Sequence, residues 1–240
     1  MSPSSGSHRL AFWRLVTGVL SAGLIMVAAA GTTPREPNVD RTHPDHAAAT
    51  PEIVAIEQLK LSDQLADFGE RHADPLALVE AAMILKQATA VLKPAGAGVR
   101  GARTWEALLV RAGQIAGPNP TVTGLIADVR AYKVRDIPTV PADASLLSKS
   151  VKQGGADRVE VRFRAGEPAL VYVRPVTAVD LDLYVYDELN NLICTGASGG
   201  HDAQCRWRPR WDGPYLVDIR NNNDTEVAYV LAINREIMAH

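Results

Sequence analysis

From Thr50 to Val134 the apolar positions recur every three or four residues, the spacing of helices that bury one side. Thr50-Pro51 supplies a capping residue and a proline for a first turn, and Ile53, Ile56, Leu61, Leu65 and Phe68 follow at helical spacing up to a stop at Gly69. Asp74-Pro75 opens a second helix in the same way, with Leu76, Val79, Ala82, Met83 and Leu92 along one side and Pro94 as its end. Thr104 caps a third helix whose Trp105, Leu108, Leu109, Ala112 and Ile115 face inward, closed by Gly117-Pro118. A fourth runs from about Pro120 to Val134. Short connections favour antiparallel neighbours, so a closed bundle over residues 51–135 is expected.

The period then changes from 3.6 to 2. Val159, Val161 and Phe163 alternate with Arg158, Glu160, Arg162 and Arg164; Gly166-Glu167-Pro168 makes a turn; Leu170 to Val173 continues. The clearest alternation runs from Val179 to Asp187. Val179, Leu181, Leu183 and Val185 point one way and Asp180, Asp182, Tyr184 and Tyr186 the other, because successive side chains of a strand leave opposite faces. Strand signals return at Leu192 to Thr195, Cys205 to Trp211, Tyr215 to Arg220 and Val227 to Asn234, with Gly, Asn and Asp at the turns between them. Consecutive short strands with no helix between them imply two packed antiparallel sheets over residues 156–235. The fold class expected is therefore α+β in two units, a small N-terminal helical bundle followed by an all-β antiparallel sandwich or jelly roll. Asp136 to Gly155, with Pro138, Pro141 and small polar residues, starts no strand and reads as the linker, 136–155.

The first thirty residues stand outside this pattern. Met1 to Ala30 carries His8, Arg9 and Arg14 with no acid, then an apolar run from Leu15 to Ala29 too short to span a bilayer comfortably, then Ala28-Ala29-Ala30-Gly31. This is the anatomy of a signal peptide, 1–30; an uncleaved anchor is the alternative. Residues 31–50, rich in Pro, Thr, Asp and His, read as a disordered tether in which His43 and His46 are solvated. Cleavage leaves 23 basic against 27 acidic residues, a formal charge of −4. No basic field remains to attract nucleic acid, and no segment remains for stable membrane insertion.

Charge and cysteine count narrow the chemistry. Cys194 and Cys205 are the only cysteines and lie close together in an exported chain, which predicts a disulfide between loop ends of the sheet domain. None of the six histidines sits in a catalytic motif, so no catalytic residue is assigned. No cofactor is called for. Calcium is the ion to consider, with Asp180 and Asp182 as the candidate ligands, although side chains two apart on a strand splay along it. Ligand binding falls to the aromatics Tyr184, Tyr186, Trp207 and Trp211, the last two four apart and so on one face if their strand is regular, with Pro209 between them. Such rings bind peptide or glycan, or pair with neighbouring strands and with arginines.

The order Asp180-Leu181-Asp182-Leu183-Tyr184-Val185-Tyr186-Asp187, the Trp207 strand, Gly213-Pro214-Tyr215 and Tyr229-Val230-Leu231 resembles the bacterial pre-peptidase C-terminal (PPC) domain family over roughly Ala156 to Asn234. The resemblance implies a PPC-like jelly-roll module of secreted enzymes that assists secretion, solubility or substrate binding and is not itself catalytic. Related collagen-binding modules bind calcium and use surface tyrosines; by position these would be Asp180 and Asp182, and Tyr184 and Tyr186. A helical half in place of a protease departs from that family's usual architecture. The expected function is that of a periplasmic or secreted, non-catalytic binding or accessory protein, with a protein or polysaccharide as ligand. One alternative is a structural envelope component that oligomerises through its helices, marked by a large apolar patch on them. The other is a secreted hydrolase with a site at the domain junction, marked by a deep pocket with convergent perturbed acids or histidines.

Overall fold

Thr50 caps helix α1 (Pro51–His72), its Oγ1 accepting from the Ile53 amide at 3.4 Å with Pro51 in the first turn. Gly69 does not end this helix. It lies buried one turn before the end, where a Cβ would come within 2.8 Å of Leu78, and the chain turns at Ala73 with φ 50°. Asp74 caps α2 (Pro75–Val91), accepting from the amides of Leu76 and Ala77 at 2.9 and 3.2 Å. Thr104 and Asn119 do the same for α3 (Trp105–Ala116) and α4 (Pro120–Ala131). The computed structural model describes residues 36–42, 49–94, 103–134, 144–196, 202–235 and 237. The segment expected to be a signal peptide, 1–30, lies outside the described residues, as do His43, His46, His201 and His240.

The strands form a two-sheet sandwich. The first sheet contains β1 (Lys93–Pro94), β2 (Ser145–Val151), β4 (Ala169–Pro175), β7 (Ala203–Trp207) and β9 (Val227–Ile233), in the spatial order β1-β2-β9-β4-β7. The second contains β3 (Ala156–Phe163), β5 (Asp182–Asp187), β6 (Leu192–Gly196) and β8 (Gly213–Arg220), in the order β3-β8-β5-β6. All pairs are antiparallel except the two-residue β1, which runs parallel to β2. Val161, Phe163, Val171, Val173, Leu183, Val185, Val217, Ile219 and Leu231 fill the space between the sheets.

As expected, four helices precede an antiparallel two-sheet sandwich in an α+β arrangement, and the helices pack directly on the first sheet. Ile56, Leu59, Leu78 and Leu85 share a core with Leu146, Leu170, Tyr172, Val230 and Ala232, which face outward from the first sheet. Both faces of β4 are therefore covered, and every one of its residues is buried. The expected linker at 136–155 holds β2, which pairs along its length with β9, so Glu36 onward is one compact unit. Part of the expected tether is also ordered: residues 36–42 lie on the sandwich, with Asn38 fully buried. Three residues that helical spacing placed inside are out. Leu61, Phe68 and Leu76 are 51%, 42% and 53% exposed, because Ile53, Ile56, Leu59 and Ala66 form the inner side of α1.

The disulfide is present, and it joins sheets where loop ends were expected. Cys194 on β6 and Cys205 on β7 are the edge strands of opposite sheets, with Cα atoms 5.8 Å apart. Among the described residues no helix is long and apolar enough to cross a membrane.

Candidate functional site on the open sheet

Because the helices cover the first sheet, among the described residues it is the second sheet that turns a broad strand face to solvent, and β5 alternates there between buried and half-buried positions. Strand pairing begins at Asp182; Val179 to Leu181 leads into it. The outward set is Asp182, Tyr184 and Tyr186. In register, Tyr184 faces Asp218 of β8, and Asp218 faces Arg158 of β3.

These residues make one cluster. The rings of Tyr184 and Tyr186 stack with centroids 6.4 Å apart and an interplanar angle of 20°. The Arg220 guanidinium lies over Tyr184 at 4.3 Å and donates to the Tyr186 hydroxyl at 3.1 Å. It also donates through Nε and Nη2 to Asp218 Oδ2 at 2.9 and 2.8 Å. That hydrogen bond raises the pKa of Arg220 against the opposing effect of burial. Asp218 is 2% exposed and is flanked on its other oxygen by Arg158 Nε at 3.5 Å. The cation is thus fixed by a buried carboxylate, and two half-exposed rings and a guanidinium lie together on the outer face of this sheet.

The other predicted binding residues are not on this face. Trp207 is 4% exposed and packs between the sheets, 4.8 Å from the Phe163 ring and 5.3 Å from Tyr215. Pro209 cannot donate to a ladder, so β7 stops at Trp207 and the chain bends at Arg210 and Trp211. Trp211 sits in that bend with its indole N–H on Glu188, and the two tryptophans share no face.

Asp180 and Asp182 hold the turn after β8. The Asp180 carbonyl accepts from Asn223 Nδ2 and the Asp182 carboxylate from Asn222 Nδ2, both at 2.7 Å. Among the described residues no group of three or more His, Cys, Asp or Glu side chains could hold a metal ion.

A second polar cluster was not anticipated. Where α1 crosses β4, the Asp63 carboxylate is buried 3.0 Å from Arg174 Nη1 and accepts from the Tyr172 hydroxyl at 3.2 Å. Arg103 donates to the Asp63 carbonyl at 3.1 Å and pairs with Asp67. Burial raises the Asp63 pKa to about 6 in spite of Arg174 and Arg103, and burial likewise pushes the Tyr172 hydroxyl far up. A cavity of about 350 Å³ opens beside it, lined by Gln64, Asp67, Arg71, Arg103, Arg174 and Asp202 among others. Asp63 is not in its wall, so the acid that burial perturbs is screened from whatever enters. The one sequence signal for this cluster was a lone Asp at an inward helical position, which no period distinguishes from a surface acid.

No family model matches the chain, and no curated protein matches it. Solved structures do. The pre-peptidase C-terminal domain of collagenase from Bacillus anthracis is 14% identical, covers 37% of this chain and 86% of its own, and superposes with a TM-score of 0.33. PliG of Aeromonas hydrophila, a periplasmic inhibitor of g-type lysozyme, is 16% identical over 40% of this chain and 88% of its own, TM-score 0.31. The Yersinia pseudotuberculosis-derived mitogen is 11% identical over 41% of this chain and 91% of its own, TM-score 0.31.

Proposed function

We propose that this is an exported, non-catalytic binding protein that takes a protein or polysaccharide of the cell envelope or the extracellular space on the outer face of its second sheet. One observation carries the reading: the helices cover one sheet, while the other stays open and bears Tyr184 and Tyr186 beside an arginine held in place by a buried aspartate. Tyrosine and arginine are the residues that anchor interfaces, since each offers large area with few torsions to freeze or a planar fork for hydrogen bonds. The cross-sheet disulfide supports export, because such bonds persist in oxidising compartments. Against a hydrolase, the acid that burial perturbs, Asp63, lies behind the wall of the cavity beside α1 and β4 and is tied up by Arg174 and Tyr172.

The test is recovery of envelope material on immobilised wild-type chain and on the Tyr184→Ala, Tyr186→Ala double variant. Recovery should fall by at least about fivefold in the variant if the rings are central to the interface. Equal recovery by two equally stable proteins would remove the open sheet from consideration.

A further inference from the structure

Helix α1 has two apolar sides. Ile53, Ile56, Leu59 and Ala66 form the inner one against α2 and the first sheet. On the outer one Val54, Leu61 and Phe68, seven residues apart, are 42%, 51% and 42% exposed. Gln58, half-buried Leu65 and exposed His72 fall four residues after each of them, and the rings of Phe68 and His72 lie 4.4 Å apart. Positions 54, 58, 61, 65, 68 and 72 thus advance by alternate steps of four and three, the period of 3.5 that defines a coiled-coil seam. The seam runs nearly the whole of a 22-residue helix, about 33 Å at the usual rise. A helix that only covered a sheet would carry one stripe.

We propose that α1 pairs, seam to seam and antiparallel, with α1 of a second copy of this chain. The residues flanking the seam choose the partner and its direction. Glu57, Gln64 and Arg71 occupy the same flanking position in successive heptads. In an antiparallel pair centred on Gln64, each Glu57 faces Arg71 of the second copy and Gln64 faces itself, so the charges complement each other twice about one two-fold axis. Leu61 then packs on Leu65 of the second copy and Gln58 on Phe68. In a parallel pair the same residues would face the opposite flank, where Ala55, Ser62 and Gly69 are already buried within the protomer. Both charged ends are held in place: Glu57 accepts from Gln204 Nε2 at 3.0 Å, and Arg71 Nε donates to the Asp67 carbonyl at 3.2 Å.

This inference stands without the binding reading but adds to it. The seam lies on the side of α1 away from the sandwich, so pairing leaves the open sheet of each copy free, and a repetitive ligand would meet two faces joined in one particle.

Sedimentation velocity on the full chain from about 1 to about 100 µM tests it, and a dimer that dissociates on dilution is expected. Leu61→Glu with Phe68→Glu should raise the dissociation constant at least about a hundredfold, with an unchanged circular dichroism spectrum because both side chains are exposed. Direction is read by thiol pairing, since the protein's two cysteines are bonded to each other. A Val54→Cys chain mixed with a His72→Cys chain should oxidise to a mixed dimer, and neither should form a disulfide alone. A monomer at every concentration, association untouched by the two glutamates, or self-coupling of Val54→Cys would each overturn the proposal. So would a monomeric wild type in which the glutamates instead speed proteolysis within Met1 to Arg35, since the seam would then be covered by the chain's own N-terminal segment.

Discussion

The backbone N–H of Asn38 donates to the buried carboxylate of Asp187 at 2.9 Å, joining residues 149 apart in sequence. Asp187 also accepts from the amides of Leu189 and Asn191 at 2.9 and 2.8 Å, so one carboxylate shapes the β5–β6 turn and anchors the chain before α1. Asn38 completes the lock. Its Oδ1 accepts from the amides of Arg210 and Trp211, its Nδ2 donates to the Trp211 carbonyl, and its own carbonyl accepts from the Tyr215 hydroxyl at 2.6 Å.

Asn38→Ala would strand two backbone N–H groups and a carbonyl with no side chain to meet them. At about 1 kcal/mol or more for each unmet group, a loss of about 2–4 kcal/mol is expected, read as a lower urea midpoint at constant m-value. A change below about 0.5 kcal/mol would mean that residues 36–42 leave the sandwich without cost to the rest.

The disulfide closes a short loop in sequence yet clasps the edges of two sheets. The loop-entropy account assigns a closure of this length about 3 kcal/mol. The Cys194→Ser, Cys205→Ser variant should lose about that much, and because Cys205 is fully buried the new hydroxyl adds to the loss. Equal melting of oxidised and reduced wild-type chain would refute it.

How much of this was legible beforehand depended on whether the cause was local. Tyr184 and Tyr186 were placed outward by alternation alone, and the same alternation in Tyr215 to Arg220 would have put Asp218 and Arg220 beside them. The caps at Thr50, Asp74 and Thr104 were readable because each satisfies amides two or three residues away. What the helices cover was not readable, since a 3.6 period says that a stripe is buried and not against what. That is why the apolar run of β4 read as an ordinary strand, when it is buried on both faces. Ser145 to Val151 has little alternation and is a strand because β9 supplies its ladder. Trp207 and Trp211 would have shared a face on a regular strand, and Pro209 between them removes it.

Leu183 and Tyr184 are neighbours with opposite roles. Leu183 is fully buried between the sheets, so Leu183→Ala should cost about 2–5 kcal/mol, depending on how far the site collapses. Tyr184→Ala removes a stacked ring and one cation contact from a half-exposed position and should cost about 1 kcal/mol or less. Denaturation midpoints in the reverse order would mean that β5 is displaced by one residue in register, which exchanges its two faces.

Asp63 makes stability depend on pH in an unusual direction. Its pKa in the folded protein is about 6, raised from 3.8, so between these values the folded chain holds a proton that the unfolded chain has released. The stability this supplies is complete below about pH 4 and is lost as pH rises through about 6, the reverse of an ordinary salt-bridged carboxylate. A shift of about two pH decades corresponds to about 3 kcal/mol at full loss. Urea midpoints of the wild type and of Asp63→Asn, taken from pH 4 to 7, isolate the effect, because every other carboxylate contributes alike to both. The gap between the two proteins should move in favour of the variant as pH rises, with most of the change between about pH 4 and 6. Parallel curves would show that Arg174 and Arg103 offset burial in full, and that Asp63 stays ionised throughout beneath α1.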